Sequence, residues 1–217
     1  MKLYAHPFSS YCQKALIAFY ENHTSFELRL LGPDDDTAAA EHAALWPLKR
    51  MPLLVDGQRT VPESSIIIEY LDLHYPGAVR MVPQEAEAAL EVRLLDRFFD
   101  NYVMTPMMKM VFDSMRSEEN RDHQGTTEAI ELLNTAYRWL DERMVERQWA
   151  AGGAFSLADC AAAPALFYAD WVHQIDPTFA HLRTYRQRLL ARPSYARLVE
   201  EARPYRAWFP LGAPDRD

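Results

Sequence analysis

Met51-Pro52 stands directly before a short apolar run, Leu53-Leu54-Val55, and Glu63-Ser64 follows at the head of a helix-like stretch. Proline has no N–H and is unwelcome inside a sheet, so at a strand's first residue it signals an edge, a bulge or a cis turn. A cis turn there leaves the N–H and C=O of Met51 free to pair with another peptide-like molecule. With Glu63-Ser64 nearby, the chemistry suggested is capture of a ligand with an extended backbone and an anionic end. Upstream, Ser9, Ser10 and Cys12 sit where the first helical run begins. A hydroxyl donor and a helix N-terminus both favour a thiolate over a thiol, whether the thiol is a ligand's or Cys12 itself. The seven histidines show neither HExxH nor a His/carboxylate pair, so no metal is predicted.

The elements that must position these residues are legible in the first eighty. Lys2–Ala5 reads as a strand, His6-Pro7 as a turn, residues 15–20 as a helical run and residues 26–31, which alternate apolar with polar, as a second strand. Gly32-Pro33 and three aspartates form a polar loop, and residues 37–45 are alanine-rich and helical. Residues 53–55 and 59–61 flank Asp56-Gly57, a tight-hairpin dipeptide. A helix over 65–75 follows, with Ile67, Leu71 and Tyr75 on one face. The order βαβ-α-ββ-α predicts a four-stranded mixed sheet with helices on its faces, a thioredoxin-like unit.

Strand signals end at Gln84, and helical periods take over. The expected division is a first domain over residues 1–78, a linker over 79–84 and an all-helical domain over 85–217. Leu90, Leu94 and Phe98 mark one stripe and Leu95, Phe99 and Tyr102 another, so this helix is expected to bury more than one face. Pro106 should kink or end it. A helix over 127–147 resumes the period, and Ser156-x-x-Asp159 offers a capping-box variant before an apolar helix bent at Pro164. Helices over 178–191 and 194–202 complete the bundle.

Composition narrows the partners. The 217 residues carry 23 Lys/Arg and 31 Asp/Glu, a net charge of -8; the first eighty hold seven basic against ten acidic, the remainder sixteen against twenty-one. Neither part is a basic arm, which argues against nucleic acid and anionic membrane surfaces. Cys12 and Cys160 match no CxxC or zinc spacing. The beginning of the chain has no charged leader before an apolar core, and no stretch reaches the roughly 18 apolar residues of a span. A cytoplasmic protein with reduced thiols is expected.

Taken together, Ser9 before a helix, Pro47-Leu48-Lys49-Arg50-Met51-Pro52, Glu63-Ser64 with Ile66 and Tyr70-Leu71, and Ser156-x-x-Asp159 resemble the cytosolic glutathione S-transferases. The resemblance spans nearly the whole chain and points to the bacterial, serine-type, zeta/theta-like members. It implies glutathione as cosubstrate. Counting back from Lys14-Ala15-Leu16-Ile17-Ala18, which is similar to their R-V-x-I-A, lands on Ser9 as the group that donates to the sulfur. Lowering a thiol pKa from about 8.5 by about two units asks for about 2.7 kcal/mol, a reasonable demand on a hydroxyl and a helix end together. Ser9 is alternatively a plain N-cap. Ser10 could serve instead, and Cys12 would make the protein a thiol reductase or be a small packing residue.

By the same resemblance, the Met51 backbone, after Pro52 is set, pairs with the cysteinyl part of glutathione. Glu63 and Ser64 receive the γ-glutamyl end, or merely cap their helix, and Lys49 and Arg50 reach the glycyl carboxylate. The family often has Asn where this chain has Trp46. An apolar electrophile would meet Phe8, Tyr11, Tyr102, Pro106, Met107, Met108, Phe112, Trp171 and Trp208. The stripe Met104, Met107, Met108, Val111 and Met115 is either core, subunit interface or a permissive pocket wall. The expected function is conjugation of glutathione to a small hydrophobic electrophile, with detoxification as the setting. A zeta-like cis-trans isomerase, a Cys12-dependent reductase and a non-catalytic interaction module are the alternatives. A homodimer is implied, with no nucleic-acid or membrane partner.

Overall fold

In the computed structural model, which describes residues 1–33 and 35–217, the first strand β1 (Lys2–Ala5) lies inside a four-stranded sheet. It pairs parallel with β2 (Glu27–Leu30) and antiparallel with β3 (Leu53–Asp56), which pairs antiparallel with β4 (Arg59–Pro62). The order β2-β1-β3-β4 is the mixed sheet expected from the pattern. Asp56-Gly57 makes the hairpin, with Gly57 at φ +60, a conformation glycine adopts without steric cost. Helix α1 (Ser10–Glu21) buries Ala15, Leu16, Ile17 and Phe19, and α3 (Ser64–His74) buries Ile67, Ile68 and Leu71, in one core with the sheet residues Leu3, Ala5 and Leu54. On the other face, α2 (Asp36–Leu45) covers a smaller cluster of Tyr4, Leu31, Ala38 and Leu53.

From residue 86 onward the chain is helical: α4 (Ala86–Phe98), a π-helical turn (Phe99–Met104), α5 (Thr105–Ser114), α6 (His123–Arg143), α7 (Leu157–Val172), α8 (Ala180–Leu190) and α9 (Pro193–Ala202). A 3-10 segment (Arg203–Trp208) ends the series. Pro106 does not break the run at its own position. It falls in the first turn of α5, where its missing N–H is no loss, and the π turn just before it supplies the change of direction. The two expected stripes differ in burial. Leu95 and Phe99 are buried, whereas Leu90 and Leu94 are exposed on the single chain.

Helix α7 is the centre of the molecule, with its residues from Leu157 to Trp171 buried. Its start is a complete capping box between Ser156 and Asp159. Buried Asp159 also accepts from the Ala150 N–H at 2.9 Å and the Tyr185 hydroxyl at 2.6 Å, so its work is structural, as the motif suggests. Pro164 lies inside this helix as expected. Helix α1 packs along α7, so the sheet's own helix is shared between the two halves. No helix among the described residues is long and apolar enough to cross a membrane.

Candidate functional site

The loop between β1 and α1, His6-Pro7-Phe8-Ser9, is built to hold its last residue still. Ser9 closes a turn by donating its N–H to His6 O at 3.0 Å, and its hydroxyl accepts from the Cys12 N–H at 3.5 Å. That contact is long for a cap, so the hydroxyl is lightly engaged and free to turn toward a ligand. Two buried side chains pin the loop from behind. Gln13 donates to Pro7 O at 2.8 Å and to the Tyr168 hydroxyl at 3.1 Å, and that hydroxyl donates to Phe8 O at 2.9 Å. Tyr168 belongs to α7, so the serine loop is fastened to the helical half.

Across from Ser9, Met51-Pro52 is a cis peptide bond. β3 begins at Leu53, and neither the N–H nor the C=O of Met51 has a backbone partner among the described residues. Behind this turn, His42 Nε2 lies 3.1 Å from Arg50 O, and the Lys49 N–H donates to Trp46 O at 2.9 Å. Trp46 thus closes the turn through its backbone while its side chain lines the cleft. Glu63 takes φ +71, outside the range a bulky residue prefers, and makes no side-chain cap to α3. Its carboxylate is therefore not spent on the helix start. Ser64 opens α3, where the first N–H groups have no intrahelical acceptor and suit an anion.

These residues converge on one cleft of about 810 Å³. Ser9, Ser10, Lys49, Arg50, Met51, Pro52, Glu63 and Ser64 line one side of it. Phe8, Tyr11, Met107, Met108, Phe112 and Trp208 are part of the remaining lining. Three expected wall residues are not. Tyr102 is exposed and packs on Phe98, because the π turn rotates it away from the cleft. Pro106 is buried in the first turn of α5. Trp171 is buried behind Phe209, with its indole N–H donating to Arg216 O at 3.2 Å.

The lining also holds residues that the sequence reading did not single out: Arg97, Asp100, Asn101, Tyr168 and Phe209. The charged ones belong to a buried network. Lys14 of α1, 1% exposed, meets Asp96 at 2.6 Å and Asp100 at 2.7 Å. Arg97 bonds Asp96 at 2.6 Å and the Ser65 hydroxyl at 2.5 Å, tying α4 to the start of α3. A lone lysine inside the apolar run of α1 was the available signal. Beside the network, burial first, then Asp100 and Glu63, push the Tyr11 phenol up to about 12. Tyr11 therefore stays a neutral donor at the rim.

Cys12 is fully buried and does not line the cleft. Burial pushes its thiol up to about 11, outweighing the hydrogen bonds from Ser9 and His6 that pull it down. Cys160 is buried and raised further by the same cause. Native protein at neutral pH is expected to resist iodoacetamide at both sites and to take up two labels only after unfolding, read by intact mass. Rapid single labelling at Cys12 in the native state would restore the reductase reading. Elsewhere, a groove of about 690 Å³ between β2 and α9 is lined by Phe26, Leu28, Leu30 and the Arg197–Glu201 pair and reaches Pro7, but not Ser9.

Comparison with known proteins matches both halves of the chain to one family. The glutathione S-transferase N-terminal domain matches residues 3–79, and the glutathione S-transferase C-terminal domain matches residues 103–193. The chain belongs to the glutathione S-transferase family. A probable maleylacetoacetate isomerase of Vibrio cholerae is 24% identical over 93% of this chain and 96% of its own. Among solved structures, a glutathione S-transferase of Methylobacillus flagellatus with GSH bound superposes with TM-score 0.81 at 23% identity, over 91% of this chain and 98% of that one. A glutathione S-transferase of Methylobacterium radiotolerans in complex with glutathione sulfonate has TM-score 0.79 and 26% identity, over 91% and 93%. The family's two-domain fold is thus the frame on which this chain's serine loop, proline turn and α3 start meet.

Proposed function

We propose that this protein is a glutathione transferase that holds glutathione as a thiolate and adds it to a small hydrophobic electrophile. The observation that carries the reading is the convergence, in one cleft, of a lightly engaged Ser9 hydroxyl, an unpaired Met51 backbone and the open start of α3. Ser9 donates to the sulfur and lowers the thiol pKa. The Met51 N–H and C=O pair with the cysteinyl backbone of the tripeptide. The α3 N-terminus with Ser64 receives the γ-glutamyl carboxylate, and Glu63 accepts from the adjacent ammonium. Lys49 and Arg50 face the glycyl end. The apolar wall of Phe8, Met107, Met108, Phe112 and Trp208 binds the electrophile, and its methionines suit substrates of varied shape. In this reading the first domain spans residues 1–78 and the helical domain 85–217, joined by 79–84.

A second reading keeps the thiolate but changes the outcome: glutathione adds to a conjugated double bond, the bond rotates, and the thiolate leaves. The near full-length match to a probable maleylacetoacetate isomerase favours it. Exposed Ile66, Leu73, Leu90 and Leu94 on α3 and α4 support a homodimer through that face. The deciding experiment is retention on immobilised glutathione followed by a panel of aryl halides, enones and cis-dienoic acids. Conjugates with the aryl halides support transfer, and isomerised acid with no net thiol consumption supports the second reading. Failure to bind glutathione at about millimolar concentration, where ΔG of binding is only about -4 kcal/mol, leaves a non-catalytic module.

A further inference from the structure

Next to the cleft is a second cavity of about 580 Å³ that shares Phe8, Ser9, Lys49, Met51 and Trp208 with it. What distinguishes the second cavity is His6, the last residue before the Pro7 turn, only 7% exposed. Its Nδ1 accepts from the Phe8 N–H at 3.1 Å. In a neutral imidazole, the nitrogen that accepts leaves the proton on the other, so Nε2 is an N–H donor. That donor is buried and has no hydrogen-bond partner among the described residues. Burial also lowers the basicity of the ring and keeps it neutral. Tyr205 and Trp208 pack on the imidazole with ring centroids at 4.5 and 5.4 Å, and aromatic faces are weak substitutes for an oxygen acceptor. A buried donor left in that condition calls for an explanation.

The surroundings say what would satisfy it. Among the described residues lining this cavity, the ionisable side chains are His6, His42 and Lys49, with no carboxylate, in a chain whose net charge is -8. Met51, Leu31 and Trp208 make the rest of the wall apolar. The group to be bound is thus an anionic acceptor on an apolar body. His6 and Ser9 are the ends of one hydrogen-bonded turn, so their Cα atoms lie within about 7 Å. An acceptor held at His6 is about one aromatic ring away from the Ser9 hydroxyl. Trp208, half-exposed and carried on a 3-10 segment, is the ring that must move aside to admit it.

We propose that this cavity is an acid subsite for the second substrate: the carboxylate of a small aromatic electrophile accepts from His6 Nε2–H, placing the reacting carbon beside Ser9. The proposal rests on the thiol-transfer reading and narrows it to carboxylate-bearing electrophiles. With 4-chloro-3-nitrobenzoate, the thiolate attacks the carbon that bears chlorine. The C–S bond forms, the C–Cl bond breaks, and chloride leaves with the bonding pair.

The test compares kcat/KM for 4-chloro-3-nitrobenzoate with that for its neutral counterpart 4-chloro-3-nitrotoluene, in the parent and in His6→Phe, which keeps a packed ring and deletes the Nε2–H donor together with the Nδ1 acceptor of the Phe8 N–H. Loss of that acceptor from the serine turn acts on both substrates alike, so the readout is the acid-to-neutral ratio, expected to fall about tenfold or more, the size of one hydrogen bond to a charged group, while the KM for glutathione stays within about twofold. An unchanged ratio overturns the subsite. A rise in the KM for glutathione instead overturns it too, by giving the cavity to the cosubstrate's own glycyl carboxylate. If neither electrophile reacts, tryptophan quenching by 3-nitrobenzoate and 3-nitrotoluene decides separately. Preference for the acid that is lost in His6→Phe upholds the subsite while the transfer reading fails, and equal binding overturns it. Should the variant fail to fold, benzoate is used against the parent: competition with the electrophile supports the proposal, and competition with glutathione overturns it.

Discussion

Replacing Ser9 by alanine is expected to lower kcat/KM for glutathione conjugation by about 10- to 150-fold, because one hydrogen bond to a charged acceptor contributes about 1.5–3 kcal/mol. The pH profile gives a sharper readout. The acid limb of kcat/KM should move up by about one to two pH units, since the same energy now fails to hold the thiolate. The hydroxyl's present contact, a 3.5 Å acceptance from the Cys12 N–H, is too long to be a strong cap. Loss of stability should accordingly stay at or below about 1 kcal/mol. Ser10→Ala, one residue into α1, is the control and should leave the acid limb in place. An unshifted limb in Ser9→Ala, with binding of glutathione intact, would remove Ser9 from the sulfur.

The largest effect on stability should come from Lys14. Its ammonium is the shared counter-ion of Asp96 and Asp100 inside the α1–α4 contact, where the Lys14 and Asp96 side chains are almost wholly buried. Lys14→Met leaves Asp100 without its 2.7 Å partner and Asp96 with Arg97 alone, and breaking a buried pair by deleting one partner costs about 3–5 kcal/mol. For a chain of this length that is a loss of roughly 6–20 °C in Tm. Adding Asp100→Asn should return part of it, since Asp96 keeps Arg97 at 2.6 Å while Asp100 is the carboxylate that loses its close cation.

The pH dependence of that loss has a definite sign. Burial raises the Asp100 carboxyl above its ordinary value, and Lys14 opposes that rise. A carboxyl raised in the folded state gives stability below its unfolded pKa that is lost as pH rises through the folded value. Removing Lys14 strengthens that tendency. The gap in Tm between variant and parent should therefore be widest near neutral pH and narrow as pH falls through the carboxylate range. A gap that is flat with pH would mean that the buried carboxylates find other partners.

How much of this was readable beforehand depends on the distance over which each signal acts. The sheet was legible because its determinants are local: Asp56-Gly57 sets the hairpin, and alternation and short apolar runs mark the strands. The Ser156–Asp159 box was legible for the same reason. Tyr102 and Pro106 were misplaced because counting at 3.6 residues per turn fails across a π turn, and the sequence from Phe99 to Met104 gives no sign of one. Trp171 was misplaced because its cover, Phe209, comes from the far end of the chain. Asp100 went unread because its partner Lys14 lies more than eighty residues away, and Arg97 because it bonds Ser65 of α3; only the fold shows that α4 meets α1 and α3.

The bonds from Gln13 and Tyr168 to Pro7 and Phe8 make the serine's position a joint product of both halves of the chain. A fragment holding the sheet and its three helices would keep the strands but not the tether. It would also open to water the face of α1 that now packs along α7, and leave Lys14 without Asp96 and Asp100. The sheet half is therefore not portable. Swapping the helical half to change the electrophile would also retune the serine, so exchange of specificity in this architecture must conserve the hydroxyl at Tyr168 while varying the side chains around it.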